Sequence, residues 1–178
     1  MNDNTPRTRT AQIAAGGSAV AAAIAVAVAL IVPWEGGRAR DGSAIGYADP
    51  LVRNLPTACS GTTGRDHLGR PIVVGRRYTR QECDDMLAHE LRTRLPQVKA
   101  CLPNDIRAEA LGASISLAFN IGTPAFCRST VSRLFRAGQD RAACQAFGRW
   151  VYVGSRRVQG LVNRRAAEVR LCLRGVRP

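Results

Sequence analysis

Two carboxylates and a hydroxyl lie near one another in the chain, close to or within a stretch rich in turn-forming residues. Glu35 follows Trp34 directly, Asp49 lies 14 positions further on, and Thr57 lies eight positions beyond Asp49. Cleavage of a glycosidic bond needs a carboxylic acid that protonates the leaving oxygen and a second group that stabilises the sugar cation or directs water. These residue types are therefore compatible with glycosidic bond cleavage, with Glu35 as the acid.

The surroundings of the two carboxylates differ in the sequence. Glu35 follows Trp34 and an apolar segment, so we expect desolvation to disfavour its ionised form, which suits a general acid. Asp49 precedes Pro50 in a polar stretch, and we expect it to stay ionised. Residue types alone do not establish this chemistry, because most of the 13 acidic residues of such a chain lie on its surface.

The apolar segment before Glu35 is long enough to span a membrane. Residues 11–32 carry no charge, and a helix of that length crosses a hydrocarbon core of about 30 Å. Ten of these 22 residues are alanine and only eight are strongly apolar. At roughly −0.3 to −0.6 kcal/mol each, those eight supply about −2 to −5 kcal/mol of insertion free energy. We expect a segment that enters a membrane without being held there permanently.

Several interpretations of this segment stay open. It is a cleaved signal peptide with Arg7 and Arg9 as its basic end and residues 27–29 as its cleavage motif, a permanent anchor, or a signal-anchor that later escapes intact. A buried helix of a soluble protein is a fourth interpretation. The position at the start of the chain makes that one the weakest.

Six cysteines follow the apolar segment, at positions 59, 83, 101, 127, 144 and 172. Their number is even and none has CxxC spacing, which argues against zinc or thioredoxin-like chemistry and favours disulfides. Disulfides indicate an oxidising compartment such as a bacterial periplasm. From the nearness of the predicted elements we expect the pairs Cys59–Cys83, Cys101–Cys127 and Cys144–Cys172.

The charge is strongly positive, at +13, and Lys99 is the single lysine among 26 basic residues. Nucleic acid, an anionic cell wall and a membrane surface would each attract such a chain. No zinc-finger, RNP-type or basic-zipper pattern is present, so nucleic-acid binding is supported by charge alone. We do not expect a nucleic-acid partner.

The remaining sequence predicts two kinds of structure. Residues 36–77 are rich in Gly, Pro, Asp, Ser and Thr, which predicts turns and short strands. Residues 79–82 form a capping-box pattern that opens a helix, and Pro96 marks the expected limit of that helix. Further helices are predicted over 105–119, from a cap at Ser129 or Thr130 to Gly138, from a cap at Asp140 through Phe147, and over about 158–173. The fold class is therefore α+β, with a small β lobe, a larger helical lobe and a cleft between them.

Short segments around the candidate residues resemble phage-type lysozymes, glycoside hydrolase family 24. Trp34-Glu35-Gly36, Tyr47-Ala48-Asp49 and residues 57–64 are similar to the active-site region of that family. The helical part contributes residues 118–122, 126–130, 149–152 and 160–168, and the last of these is the most specific. The similarity covers roughly residues 11–173 and looks closest to endolysins with a signal-anchor-release segment.

The resemblance implies a function and a catalytic triad. In the family a Glu, an Asp and a Thr are catalytic, and the matching positions are Glu35, Asp49 and Thr57. The implied reaction is hydrolysis of the β-1,4 bond between N-acetylmuramic acid and N-acetylglucosamine in peptidoglycan, which lyses the host cell and needs no metal or cofactor. We expect Arg164 and Arg165 to pair with helix neighbours such as Glu168 rather than to act in catalysis.

The resemblance also implies an organisation and a location. Residues 1–33 are expected to form a signal-anchor segment that contacts the inner membrane through residues 11–32, and residues 34–178 a lysozyme-like catalytic domain. The protein is expected to be tethered to the inner membrane, then periplasmic, and monomeric.

The spacing of the candidate residues departs from the family pattern. Both intervals, from Glu35 to Asp49 and from Asp49 to Thr57, are longer than the family usually shows, which indicates a lengthened hairpin near residues 38–42. Asp41 is therefore a rival to Asp49, although it lacks the Tyr-x-Asp context. The same departure keeps open an alternative function, a catalytically inactive, membrane-anchored cell-wall-binding protein of lysozyme fold.

Overall fold

A computed structural model describes residues 7–176, with side chains from Ser18 onward. Its helices are α1 (Arg7–Ile31), α2 (Arg80–Lys99), α3 (Ala108–Ile121), α4 (Thr123–Cys127), α5 (Thr130–Arg136), α6 (Asp140–Ala146) and α7 (Gln159–Arg174). Its strands are β1 (Ala44–Ile45), β2 (Tyr47–Asp49), β3 (Leu55–Ala58), β4 (Thr62–Thr63), β5 (Arg77–Tyr78), β6 (Tyr152–Val153) and β7 (Arg156–Arg157). The described residues thus combine seven helices with small sheets, and the α+β prediction is confirmed.

The β lobe consists of short antiparallel pairs. Strands β2, β3 and β4 form one sheet in that order, and β1 pairs with β5. In the β2–β3 pair, Tyr47 lies opposite Thr57 and Asp49 lies opposite Leu55. Because alternate side chains of a strand point to the same face, these four residues share one face of the hairpin.

Helix α2 begins as its sequence predicts but extends further. The Thr79 hydroxyl accepts from the Glu82 amide, and the Glu82 carboxylate accepts from the Thr79 amide, which completes the capping box. The expected limit at Pro96 is wrong, because α2 continues to Lys99. Proline lacks a donor, but its carbonyl still accepts from Ala100 at 3.0 Å, and the buried Val98 keeps the last turn packed on the core.

The centre of the helical lobe is α3, whose residues 110–118 are all buried. Helices α1 and α7 pack against it. The first residue of α6, Asp140, does not cap that helix as expected, since Gln139 occupies the N-cap position. Ser129 does cap α5, through a hydrogen bond that it accepts from the amide of Ser132.

Helix α1 belongs to the core of the helical lobe. Ala23, Ile24, Ala27 and Ile31 are at most 2% exposed and lie in the same apolar cluster as α3. The two helices approach closely at Gly112, where an added Cβ would lie 2.8 Å from the carbonyl oxygen of Ala23 and would overlap Val26. Within residues 7–176, no helix is both long enough and apolar enough to cross a membrane.

The three predicted disulfides are confirmed. Cys59–Cys83 joins the end of β3 to α2, Cys101–Cys127 joins the segment after α2 to α4, and Cys144–Cys172 joins α6 to α7. Their Cα atoms lie 5.2, 5.2 and 5.6 Å apart, which is ordinary for disulfides. The first of them fixes the β lobe to the helix that follows it.

Candidate active site

Glu35 lies at the point where α1 leads into the β lobe. After the buried Ile31, a single 3₁₀ turn over Val32–Trp34 contains Pro33 near its start, and Glu35 follows in an extended conformation. Proline is favoured at the first positions of such a turn because its φ angle is already helical. The docking of α1 therefore sets the position of Glu35, four residues beyond Ile31.

The neighbour of the Glu35 carboxylate is an arginine from the far end of the chain. Nη1 of Arg164, on α7, lies 3.3 Å from Oε1 of Glu35. The Glu35 side chain is 26% exposed and that of Arg164 only 3%. The expectation of apolar surroundings for Glu35 is therefore wrong. Its neighbour in sequence, Trp34, is 36% exposed, and a guanidinium faces the carboxylate.

Arg164 is part of a buried ionic cluster. Glu168 accepts from the Ser116 hydroxyl at 2.6 Å and from Nη2 of Arg165 at 2.9 Å, and Nε of Arg164 lies 3.5 Å from it. The pairing of both arginines with Glu168 was predicted and is confirmed. The contact of Arg164 with Glu35 was not predicted, because nothing in the sequence relates two residues 129 positions apart.

Burial dominates the electrostatics of this cluster. It lowers the pKa of Arg165 to about 10, while Glu168 acts to raise that pKa and Arg164 to lower it further. Burial raises the pKa of the Glu168 carboxyl, and Arg165, Ser116 and Arg164 oppose that rise. Buried charges persist where opposite charges and hydrogen bonds compensate the lost water. The cluster supplies opposite charges and some hydrogen bonds, but among the described residues Oε2 of Glu168 and Nε of both arginines have no hydrogen-bond partner.

Asp49 is held by its own turn. Its Oδ1 accepts from the Leu51 amide at 2.9 Å and thereby caps the 3₁₀ turn Pro50–Val52. Its Oδ2 accepts from the Tyr47 hydroxyl at 3.4 Å. Burial and the Asp49 charge raise the pKa of Tyr47, so this hydroxyl stays protonated and able to donate. Asp49 is half-buried and shares its hairpin face with Tyr47 and Thr57.

Thr57 lies on the same hairpin face as Asp49 but is fully buried. Its hydroxyl donates to the Leu55 carbonyl at 3.0 Å. The register places Thr57 opposite Tyr47, two residues from Asp49 along β2. The structure thus brings Asp49 and Thr57 to one face, as their assignment to one site requires.

The stretch after Glu35 is fixed against the end of β3. Nε of Arg38 donates to the Ser60 hydroxyl at 3.2 Å, and its Nη2 donates to the Cys83 carbonyl at 3.1 Å. A Cβ added at Gly37 would lie 3.2 Å from the Cys59 carbonyl oxygen. Gly37 and Cys59 are therefore in close contact. Glu35 lies two residues before Gly37, and Thr57 lies two residues before Cys59. Glu35 is at the junction of the lobes.

Asp41, the rival carboxylate, serves a turn of its own. It accepts from the amide of Ser43 at 3.0 Å and from the Ser43 hydroxyl at 2.6 Å, and it pairs with Arg77. The hydrogen bonds from Ser43, with a smaller contribution from Arg77, hold the pKa of Asp41 below its ordinary value. Among the described residues, no group of three or more His, Cys, Asp or Glu side chains is arranged to hold a metal ion.

The fold and this junction define a lysozyme-like α+β protein, and comparisons with known proteins agree. The family model described as phage lysozyme matches residues 34–168. A SAR-endolysin of Enterobacteria phage P21 is 36% identical over 154 residues, covering 86% of this chain and 89% of the relative. Another SAR-endolysin, of Pseudomonas phage phiKMV, is 30% identical and covers 85% and 89% of the two chains.

Solved structures show the same fold. A variant of P22 lysozyme superposes with a TM-score of 0.68 at 28% identity, covering 83% of this chain and 94% of that one. An endolysin from the Escherichia coli O157:H7 phage FAHEc1 gives 0.63 at 25% identity, with 86% and 94% covered. The chain therefore belongs to the phage lysozyme family. It is a glycoside hydrolase of the lysozyme class and an endolysin.

Proposed function

We propose that this endolysin hydrolyses the β-1,4 bond between N-acetylmuramic acid and N-acetylglucosamine in peptidoglycan, with Glu35 as its general acid. The observation that carries the proposal is the position of Glu35, at the lobe junction, partly exposed and 3.3 Å from the buried Arg164. Because Oε1 accepts from Arg164, we assign the transferable proton to Oε2, the oxygen that would protonate the leaving glycosidic oxygen.

Asp49 and Thr57 are proposed to act on the other side of the scissile bond. A carboxylate that holds two hydrogen bonds keeps its orientation, which suits it to stabilise an oxocarbenium-like transition state or to orient water. The Tyr47 hydroxyl fixes Oδ2 of Asp49, and the Leu51 amide fixes Oδ1. Thr57 offers a hydroxyl on the same face, with its proton directed to Leu55. That arrangement leaves its oxygen able to accept a hydrogen bond from water.

Zymography on peptidoglycan tests this proposal. The full chain should clear the gel, and the muropeptides released should carry new reducing ends at muramic acid. The matched control is Glu35→Gln, which keeps size and hydrogen bonding but has no acidic proton. A Glu35→Gln protein that cleared peptidoglycan as fast as the parent would overturn the assignment. No clearing by the parent would favour the alternative, an inactive wall-binding protein.

We further propose that α1 acts as the signal-anchor before it docks in the core. The uncharged segment 11–32 and the similarity to SAR-endolysins support export through the inner membrane, followed by release into the periplasm. The packing of Ala23, Ile24 and Ala27 against α3 gives the released helix a place to bind. Because α1 leads into Glu35, the tethered form would hold the acid away from Arg164 and be inactive.

N-terminal sequencing of the soluble, lytically active form tests this second proposal. A sequence that starts at Met1 or Asn2 is expected, because α1 is part of the active fold. A start near Leu30 would instead indicate cleavage by a signal peptidase and would sink the idea that α1 is retained.

The basic surface is proposed to favour the anionic wall polymer over nucleic acid, with the protein acting as a monomer. A charge of +13 attracts the carboxylates of peptidoglycan by long-range attraction that salt screens. Binding to purified sacculi should weaken as salt rises. Retention on DNA above physiological salt would contradict this preference, and a dimer in analytical ultracentrifugation would contradict the monomer.

A further inference from the structure

The ionic cluster next to Glu35 contains a second carboxylate that does not touch the acid. We propose that Glu168 is a positioning residue that controls the protonation of Glu35 through Arg164. Glu168 is fully buried, and Arg164 is the residue that links it to Glu35. The inference rests on the proposed role of Glu35 as the general acid and adds a device that regulates it.

Arg164 is shared between the two carboxylates. Its Nη1 lies 3.3 Å from Glu35 and its Nε lies 3.5 Å from Glu168. Glu168 meets Arg165 more closely, with Nε 2.9 Å from Oε2 and Nη2 2.9 Å from Oε1, and it accepts from Ser116 at 2.6 Å. Among the described residues, Oε1 of Glu168 accepts from Ser116 and Arg165 and Oε2 has no hydrogen-bond partner, while Nη1 of Arg164 is directed to Glu35.

The charges of this group balance when all four ionisable members are charged. In the described part of the chain, Glu168 is faced by Ser116 from α3 and by Arg164 and Arg165 from its own helix, and Glu35 is faced by Arg164. Arg164, Arg165 and Glu168 are at most 3% exposed, so little water screens them. The two arginines and Glu168 therefore present one net positive charge to Glu35.

Changing that net charge by one should shift the balance between the acid and carboxylate forms of Glu35. Without Glu168, two positive charges would favour the carboxylate and deplete the proton donor at neutral pH. Without Arg165, the charges of Arg164 and Glu168 would cancel, and the neutral acid form of Glu35 would be favoured. Because the charges are close and poorly solvated, each change should displace the pH profile by about one pH unit.

The test compares Glu168→Gln, Arg165→Met and the double variant, each as the full chain. The measurement is the pH profile of kcat/KM on purified peptidoglycan, with circular dichroism as a check on folding. The alkaline limb should move to lower pH in Glu168→Gln and to higher pH in Arg165→Met. In the double variant the net charge is restored, and the limb should return to within about 0.3 pH unit of the parent.

A merely structural role for Glu168 predicts a different pattern. The single variants would lose activity with their limbs unmoved, and the double variant would lose more than either. If Glu168→Gln does not fold, Arg165→Met and the charge-balanced double variant still decide the question. Limbs that stay in place, or that move in the same direction in both single variants, would overturn the proposal.

The same experiments separate this inference from the proposed function. An inactive Glu35→Gln protein together with unmoved limbs would refute the role of Glu168 alone. A fully active Glu35→Gln protein would refute the assignment of the acid, on which the role of Glu168 depends.

Discussion

The two candidate carboxylates are positioned in opposite ways. Asp49 takes its hydrogen bonds from Tyr47 and Leu51, both within two residues of it. Glu35 takes its contact from Arg164, 129 positions away, and that arginine is held in turn by Glu168 and α3. The hairpin can therefore position Asp49 locally, whereas the contact of Glu35 with Arg164 exists only when α1, α3 and α7 have packed together.

The comparison assigns different sensitivities to the two halves. Any change that loosens the helical lobe should displace Arg164 and weaken its contact with Glu35, because the interaction energy of a buried charge pair depends steeply on distance. The hairpin should tolerate the same changes, because the hydrogen bonds of Asp49 come from Tyr47 and Leu51 within two residues of it. Substitutions at Glu35, Asp49, Gly112 and Glu82 probe this difference, with expected effects that decrease in that order.

Loss of the acid itself should have the largest effect. Glu35→Gln should lower kcat on peptidoglycan by about 10²- to 10⁴-fold, the usual contribution of a positioned proton donor. The thermal unfolding midpoint should change little, because Glu35 makes one long contact at 3.3 Å and is partly exposed. Turbidity loss of a cell-wall suspension measures the rate. A fall in the unfolding midpoint large enough to explain the lost rate would contradict the role of Glu35 as the acid.

Removal of the hairpin carboxylate should have the next largest effect. Asp49→Ala should reduce lysis by about 10²-fold through lost charge stabilisation. The matched control is Asp41→Ala, which breaks the bonds to Ser43 and the pair with Arg77 in an exposed turn. If Asp41→Ala abolished lysis and Asp49→Ala left it intact, the partner carboxylate would be Asp41.

Crowding the contact of α1 with α3 should reduce stability and activity together. In Gly112→Ala the new Cβ would lie 2.8 Å from the Ala23 carbonyl, so the helices must separate at a cost of about 1–3 kcal/mol. The same substitution at Gly148, where nothing lies within 4 Å, is the control. Chemical denaturation measures the free energy of unfolding of both variants. Equal stability of the two variants would show that the contact is looser than described.

The smallest effect concerns the capping box of α2. The hydrogen bond from the Thr79 amide, with smaller contributions from the Thr79 hydroxyl and Arg76, holds the pKa of Glu82 below its ordinary value despite partial burial. A lowered carboxyl pKa stabilises the fold above the ordinary value of 4.5, and that stability is lost as pH falls through the folded-state pKa.

Glu82→Ala should therefore be less stable than the parent by about 1 kcal/mol at neutral pH, with the gap closing in acid. Glu90→Ala removes a carboxylate from an exposed pair on the same helix and should cost about 0.3–0.5 kcal/mol. A Glu82→Ala gap that stayed constant down to acid pH would contradict the linkage. Urea denaturation across pH measures both variants.

The sequence was most informative where structure is local. The capping box at Thr79, the cap at Ser129 and the hairpin face that carries Asp49 and Thr57 all depend on residues a few positions apart. The exceptions are instructive. Pro96 does not end α2. Proline removes only its own backbone hydrogen-bond donor, and the tertiary packing of the last turn outweighs that local effect.

The acid half of the site could not be predicted in the same way. Composition before Glu35 indicated apolar surroundings, yet the structure supplies Arg164 from α7. The spacing of Arg164, Arg165 and Glu168 along the sequence predicted their pairing within α7. Which of these side chains reaches across to another element depends on how helices pack, and no helix pattern contains that information.

The place of α1 in the core has a consequence for the protein before this helix has docked. A helical lobe without this helix would expose the side of α3 around Ala113 and Gly112 that α1 covers. Exposed apolar surface of that kind makes proteins adhere to one another. Docking of α1 therefore removes an apolar surface that would otherwise favour aggregation of the protein.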